Sequence, residues 1–291
     1  MKKVLVMSVL AIMMSCTFAQ TRFVDTKTEL MPDTKAVAKE LATYDVIMFG
    51  ELHDIEALHK LQEELSQVLV DLFPNLALSF EMWERDMQPI VDQYLAENLS
   101  EAEFLKQSRA WTNYEDYLPL INLAKQRKLE VIAANVPREY ATRVAREGWE
   151  FVDNLPEDER KLIARKLTAP DDDYRKEFVE TIRMGGHEFS DKDLENYYRA
   201  QCIKDDTMAE SIADFIKRSP GTKVIHYNGD FHSRNRLGTV SRLQELMPNL
   251  KIAVLSPHPT EDLENPILPL SMEHRADYLI LFNAGTEEAN R

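Results

Sequence analysis

Tyr44-Asp45-Val46-Ile47-Met48-Phe49-Gly50-Glu51-Leu52-His53 is an apolar run that stops on a glycine and then presents a carboxylate and an imidazole. The pattern returns in Lys223-Val224-Ile225-His226-Tyr227-Asn228-Gly229-Asp230-Phe231-His232. Short runs rich in β-branched and aliphatic residues read as buried strands. Further runs at residues 77–81, 130–136, 251–255 and 278–282 bring the number to six, with helical stretches between them. Strands alternating with helices predict an α/β fold: a mostly parallel β-sheet flanked by helices.

The first connecting stretch carries Ile55, Leu58, Leu61, Leu65, Val68 and Leu72 at three-and-four spacing, which makes one apolar helix face, and Pro74-Asn75 stops it before the second strand. Across residues 148–191 no strand pattern appears. Asn154-Leu155-Pro156, Ala169-Pro170-Asp171 and Gly185-Gly186 break that segment into helices, which predicts a helical insertion or cap over the sheet. No repeat, low-complexity tract or long Gly/Ser linker divides the chain, so residues 20–291 read as a single domain with one excursion.

Met1-Lys2-Lys3 and the apolar residues 4–14 form a basic head and a hydrophobic stretch too short to span a bilayer, the pattern of an export signal. Thr17-Phe18-Ala19 supplies the small residues of a signal-peptidase site ending the leader at residue 19, whereas Met13-Met14-Ser15-Cys16 is a loose lipoprotein box ending it before Cys16. The mature protein is therefore expected outside the cytoplasm, either periplasmic or as a membrane-anchored lipoprotein. Cys16 and Cys202 are the two cysteines of the chain, so no disulfide framework is expected. The formal net charge of −15 becomes −17 without Lys2 and Lys3, which opposes nucleic acid or anionic lipid as a partner for any large basic face. Membrane contact is expected through a lipid anchor alone.

In open α/β sheets, ligands sit beyond the carboxyl ends of the strands. Those ends here are Phe49-Gly50-Glu51-Leu52-His53, Phe80-Glu81-Met82-Trp83, Ala134-Asn135-Val136-Pro137 and Asn228-Gly229-Asp230-Phe231-His232, which bring polar groups from four strands to one rim. Each glycine is expected to supply backbone angles closed to other residues where the chain leaves its strand. His53, Glu81 and His232 make a two-His-one-carboxylate set for a divalent metal ion, or, with Glu51, a metal-free set of general base and orienting groups. The residue types alone do not choose between them. Ahead of Lys223, Leu194, Tyr198, Gln201, Asp205, Met208, Ile212 and Phe215 share one helix face, so Gln201 and Asp205 interrupt an apolar stripe. A buried amide and carboxylate need partners, so these two are expected to bond the strand-end turns or, with Asn135, to line the pocket. Trp111, Tyr117, Tyr174 and other aromatic residues nearby read as core.

Taken together, Gly50-Glu51-Leu52-His53, Ser79-Phe80-Glu81-Met82, residues 111–119, Ala134-Asn135-Val136-Pro137, residues 201–209 and Gly229-Asp230-Phe231-His232 resemble the ChaN-like family of bacterial haem-binding lipoproteins, from about Tyr44 to Leu255. That family is similar to a wider superfamily including erythromycin esterases and the Tiki metalloproteases, which share two Gly-x-x-His turns and an intervening Glu. The resemblance implies haem binding for iron acquisition, two haems stacked face to face in a homodimer, a tyrosine ligating iron, and a histidine of the partner subunit near the propionates. On this chain it points to Tyr197 or Tyr198 as the iron ligand, and to His187 in the neighbouring insertion as a further haem-binding residue. A phenolate is a hard anionic ligand suited to ferric haem, and without a Cys-x-x-Cys-His motif the haem would be held without thioether links. Lys204 departs from the pattern, standing where related sequences carry an aromatic residue. The two competing expectations are an exported protein binding haem or an iron porphyrin and a hydrolase of ester, amide or peptide bonds that is either metal-assisted or uses His53 as base with Glu51 or Glu81 as its orienting partner.

Overall fold

The structure, a computed structural model, describes residues 20–186 and 189–283. The leader with both cleavage points, Cys16 and His187 lie outside these described residues. Strand β1 (Thr21–Asp25) is followed by α1 (Thr34–Leu41), whose first turn is capped by the Asp33 side chain accepting from the Ala36 N–H. Then come β2 (Val46–Glu51), α2 (Glu56–Leu72), β3 (Leu76–Glu84), α3 (Gln88–Leu95), α4 (Glu101–Gln107), α5 (Tyr114–Arg127) and β4 (Glu130–Asn135). Helices α6 (Arg138–Glu147), α7 (Glu157–Arg160), α8 (Asp173–Met184) and α9 (Asp191–Arg218) precede β5 (Lys223–Gly229), and α10 (Thr239–Leu246), β6 (Ile252–Thr260), α11 (Met272–Arg275) and β7 (Tyr278–Asn283) complete the order.

All six expected strands form, and β1 is added as a seventh. The sheet runs β1-β7-β6-β2-β5-β3-β4, parallel throughout except for the antiparallel β1–β7 edge. Because successive strand side chains point to opposite faces, β2 sends Ile47 and Phe49 into one core and Val46 and Met48 into the other. The first core is closed by α1 to α5 and the second by the C-terminal half of α9 with α10 and α11. Burial on both faces explains why the central strands read as continuous apolar runs.

Among the described residues of 148–191 there is no strand. The segment packs through Val152 and Ile163 against α6 and Ala200 and Ile203 of α9, and through Tyr174 and Phe178 against Tyr198 and Cys202. Cys202 is a free, buried thiol, as expected of a small apolar side chain. No helix among the described residues is long and apolar enough to cross a membrane.

Candidate functional site

The site begins with strand register. β2 and β5 are neighbours, with Gly50 opposite Asn228 and Glu51 opposite Gly229, and β3 lies on the other side of β5 with Phe80 opposite Tyr227. The carboxyl ends that carry His53, Glu81 and His232 are therefore side by side. Neither Gly50 nor Gly229 has a positive φ, which corrects the expectation of special backbone angles. The requirement is space: a Cβ on Gly50 would lie 2.8 Å from Asp230 Oδ1 and 2.9 Å from the Leu255 carbonyl, and one on Gly229 would lie 2.9 Å from His53 Nε2.

The first group is built on Glu51, which is buried. Its Oε1 accepts from His53 Nδ1 at 2.7 Å and from the Tyr117 hydroxyl at 2.5 Å, and its Oε2 accepts from Gln62 Nε2. Asn113 Nδ2 donates to the His53 carbonyl at 2.9 Å, and the Trp111 ring meets the imidazole edge to face with centroids 4.9 Å apart. The His53 side chain keeps 39% exposure, and its Nε2 faces Gly229. Burial pulls the His53 pKa down, but the Glu51 hydrogen bond and the charge of Glu81 outweigh it and leave a net rise. Burial, reinforced by Glu51, holds the Tyr117 hydroxyl far above the usual phenol range.

The second group is a buried imidazole between two carboxylates. His232 Nδ1 donates to Asp205 Oδ1 at 2.7 Å, and Nε2 lies 3.3 Å from Glu81 Oε1, while Glu81 Oε2 accepts the Gly229 N–H at 2.7 Å. Asp205 also accepts from the Tyr174 hydroxyl at 2.6 Å and from Thr239 Oγ1 at 2.9 Å. Gln201 Nε2 lies 3.2 Å from one His232 ring nitrogen and 3.3 Å from the other. Burial opposes the charge on His232, yet Glu81 and Asp205 push its pKa up to about 10, so the ring is an imidazolium at neutral pH. Burial opposes the two anions as well, but the His232 charge holds both carboxyls below their ordinary range.

The structure thus brings Glu51, His53, Glu81, Gln201, Asp205 and His232 to one place. Asn135 acts one layer back, its Nδ2 donating to the Glu81 carbonyl at 3.0 Å. Among the described residues no three His, Cys, Asp or Glu side chains could hold a metal ion, so the expected metal set of His53, Glu81 and His232 is not supported. The reason is local: His232 Nδ1, His53 Nδ1 and both Glu81 oxygens already have partners within the protein. Of the tyrosines expected near haem, Tyr198 is fully buried with its hydroxyl on the Pro170 carbonyl at 2.8 Å, whereas Tyr197 is 42% exposed beside the Phe189 ring at 4.8 Å. Sequence reasoning missed Gln62, Tyr117, Tyr174 and Thr239. Gln62 was detectable, because it breaks the apolar face of α2 just as Gln201 and Asp205 break that of α9.

The profile of the family described as haem-binding uptake, Tiki superfamily, ChaN matches residues 37–243. A solved structure of cofacial haem binding to ChaN of Campylobacter jejuni is 18% identical, with a TM-score of 0.68 over 91% of this chain and 97% of that one. The type III effector HopBA1 is 11% identical, with a TM-score of 0.51 over 86% of this chain and 93% of its own. An erythromycin esterase, EreC, in its open conformation is 12% identical, with a TM-score of 0.48 over 82% of this chain and 77% of its own. At these identities the structural likeness is one of fold. None of the curated proteins matches the sequence significantly.

Proposed function

This chain belongs to the family of haem-binding uptake proteins of the Tiki superfamily that includes ChaN, and from that premise we propose that it binds haem outside the cytoplasm in the service of iron acquisition. The observation that carries the assignment to residues is the contrast between two adjacent tyrosines. Tyr197 is exposed and its side chain has no hydrogen-bond partner among the described residues, while Tyr198 is sealed in the core between α8 and α9. A phenolate oxygen on Tyr197 fits ferric iron, and the Phe189 ring beside it gives the macrocycle an apolar neighbour. The leader pattern of residues 1–19 supports export, periplasmic or lipid-anchored, and a homodimer holding two haems is part of this reading as the resemblance to the ChaN-like family implies it. Titration with hemin is expected to give a saturable Soret shift that Tyr197→Phe weakens and Tyr198→Phe leaves in place. A spectrum that stays that of free hemin at every protein concentration would end this reading.

The Glu51–His53 pair favours a second reading, metal-free hydrolysis. His53 has Nδ1 fixed by a carboxylate that Tyr117 and Gln62 hold in turn, and its Nε2 is the ring nitrogen left to take a proton from an attacking water. A screen of esters, amides and peptides tests this, and any turnover found should collapse in His53→Ala. Turnover that survives that change would remove His53 from the chemistry.

A further inference from the structure

Residues 108–113 join α4 to α5 and run over the first site group. Helix α4 buries Phe104 alone, so apolar packing does little to fix this end of the stretch, whereas α5 beyond it buries Tyr114, Tyr117 and Leu120 among others. Arg109 follows the α4 cap with φ 51°, a left-handed position where glycine is the usual residue. Its guanidinium reaches the end of β3, where Nη2 donates to Glu84 Oε2 at 2.7 Å and to both oxygens of Asp86. Two residues on, the Trp111 ring lies edge to face against His53, and Asn113 donates to the His53 carbonyl. An asparagine at a helix N-cap ordinarily accepts from its own first turn; Asn113 makes no such bond to α5 and turns to His53 instead.

We propose that Arg109 is a positioning residue for His53: its pairing with Glu84 and Asp86 fixes residues 108–113 so that Trp111 and Asn113 keep the imidazole on Glu51 with Nε2 facing Gly229. The inference rests on the hydrolase reading above and deepens it. An imidazole turns about two side-chain bonds, and a half-exposed ring keeps one direction only where its neighbours are themselves fixed. A lone surface ion pair fixes little, but here one guanidinium gathers two carboxylates, and both stand at the end of the strand that carries Glu81. Arg109 therefore ties the cover of His53 to the strand of the second group and sets the spacing of the two. A base misplaced by about 1 Å loses about a hundredfold in rate. Glycine would suit the backbone of position 109 better, so what the arginine adds lies in its side chain.

Arg109→Gly in the full-length protein separates position from stability, because glycine accepts the left-handed backbone while the pairing is lost. Thermal unfolding is expected to stay close to that of the wild type. Ring-proton NMR, with the His53 resonances assigned by their loss in His53→Ala, is expected to show them shifted and the His53 midpoint lowered, since the ring slips from the Glu51 hydrogen bond that raises it. Removing a nearby cation would by itself raise that midpoint, so the direction identifies the cause. Arg109→Lys, which keeps a cation within reach of the two carboxylates, is expected to stay closer to the wild type, and Arg109→Gln reads the same shift if the glycine variant does not fold. Unchanged His53 resonances and midpoint, or a midpoint that rises, overturn the role of Arg109 and leave the hydrolase reading standing. Absence of turnover from the wild type in the substrate screen defeats that reading, while the NMR result still decides whether Arg109 positions His53.

Discussion

An imidazole has two nitrogens, and here the two site histidines use them differently. His53 gives Nδ1 to Glu51 and leaves Nε2 open, whereas His232 has a carboxylate on each side. His53 is the ring that can exchange a proton, and His232 is a fixed buried cation. Glu51→Gln should lower the His53 titration midpoint, because the hydrogen bond and charge that raise it are lost; ring-proton NMR across pH reads this, and an unchanged midpoint would contradict the pairing. Asp205→Ala leaves His232, Tyr174 and Thr239 without a shared acceptor, and should cost about 3 to 5 kcal/mol in urea unfolding. The histidines and Glu81 were legible in the sequence because they end strands, and Gln201 and Asp205 because they break an apolar stripe; Gln62 carries the same signal on α2 and went unread. Tyr117 and Tyr174 were not, since a tyrosine on a buried face packs the same way whatever its hydroxyl reaches.

The pairing of β2 with β5 makes the two glycines unequal. A methyl group on Gly50 meets a backbone carbonyl that cannot move, while one on Gly229 meets the far end of the His53 side chain, which can swing aside. Gly50→Ala is therefore expected to destabilise the fold by about 1 to 3 kcal/mol. Gly229→Ala should stay within about 1 kcal/mol of the wild type while displacing His53, seen as a shifted ring resonance. Equal losses of stability from the two changes would contradict this contrast. Strand β1 shows the limit of reading elements locally: its five residues have mixed burial and become a strand by pairing with β7, from which more than two hundred residues separate it.

Across the whole molecule, the buried charges set a pH window. His232 rises from 6.5 to about 10 on folding, so its contribution is complete below about pH 6.5 and is lost as pH climbs toward 10. Glu81 and Asp205 are lowered, so theirs is present above the ordinary carboxylate range and lost in acid. His226, pushed down to about 4 by burial, adds to the acid loss. Thermal unfolding from pH 4 to 10 should therefore peak near pH 6 to 7, and His232→Asn should flatten the alkaline side; an unaltered alkaline decline would place its cause elsewhere.

Strand β5 sits between β2 and β3 although it is synthesised long after both. A nascent polypeptide that has reached only residue 222 has two strands awaiting a third, and it lacks the Gly229 amide that Glu81 needs. Such non-local insertion is slow to nucleate. The strand-end site is consequently completed late, only once residues 223–232 have been made and inserted between strands already present.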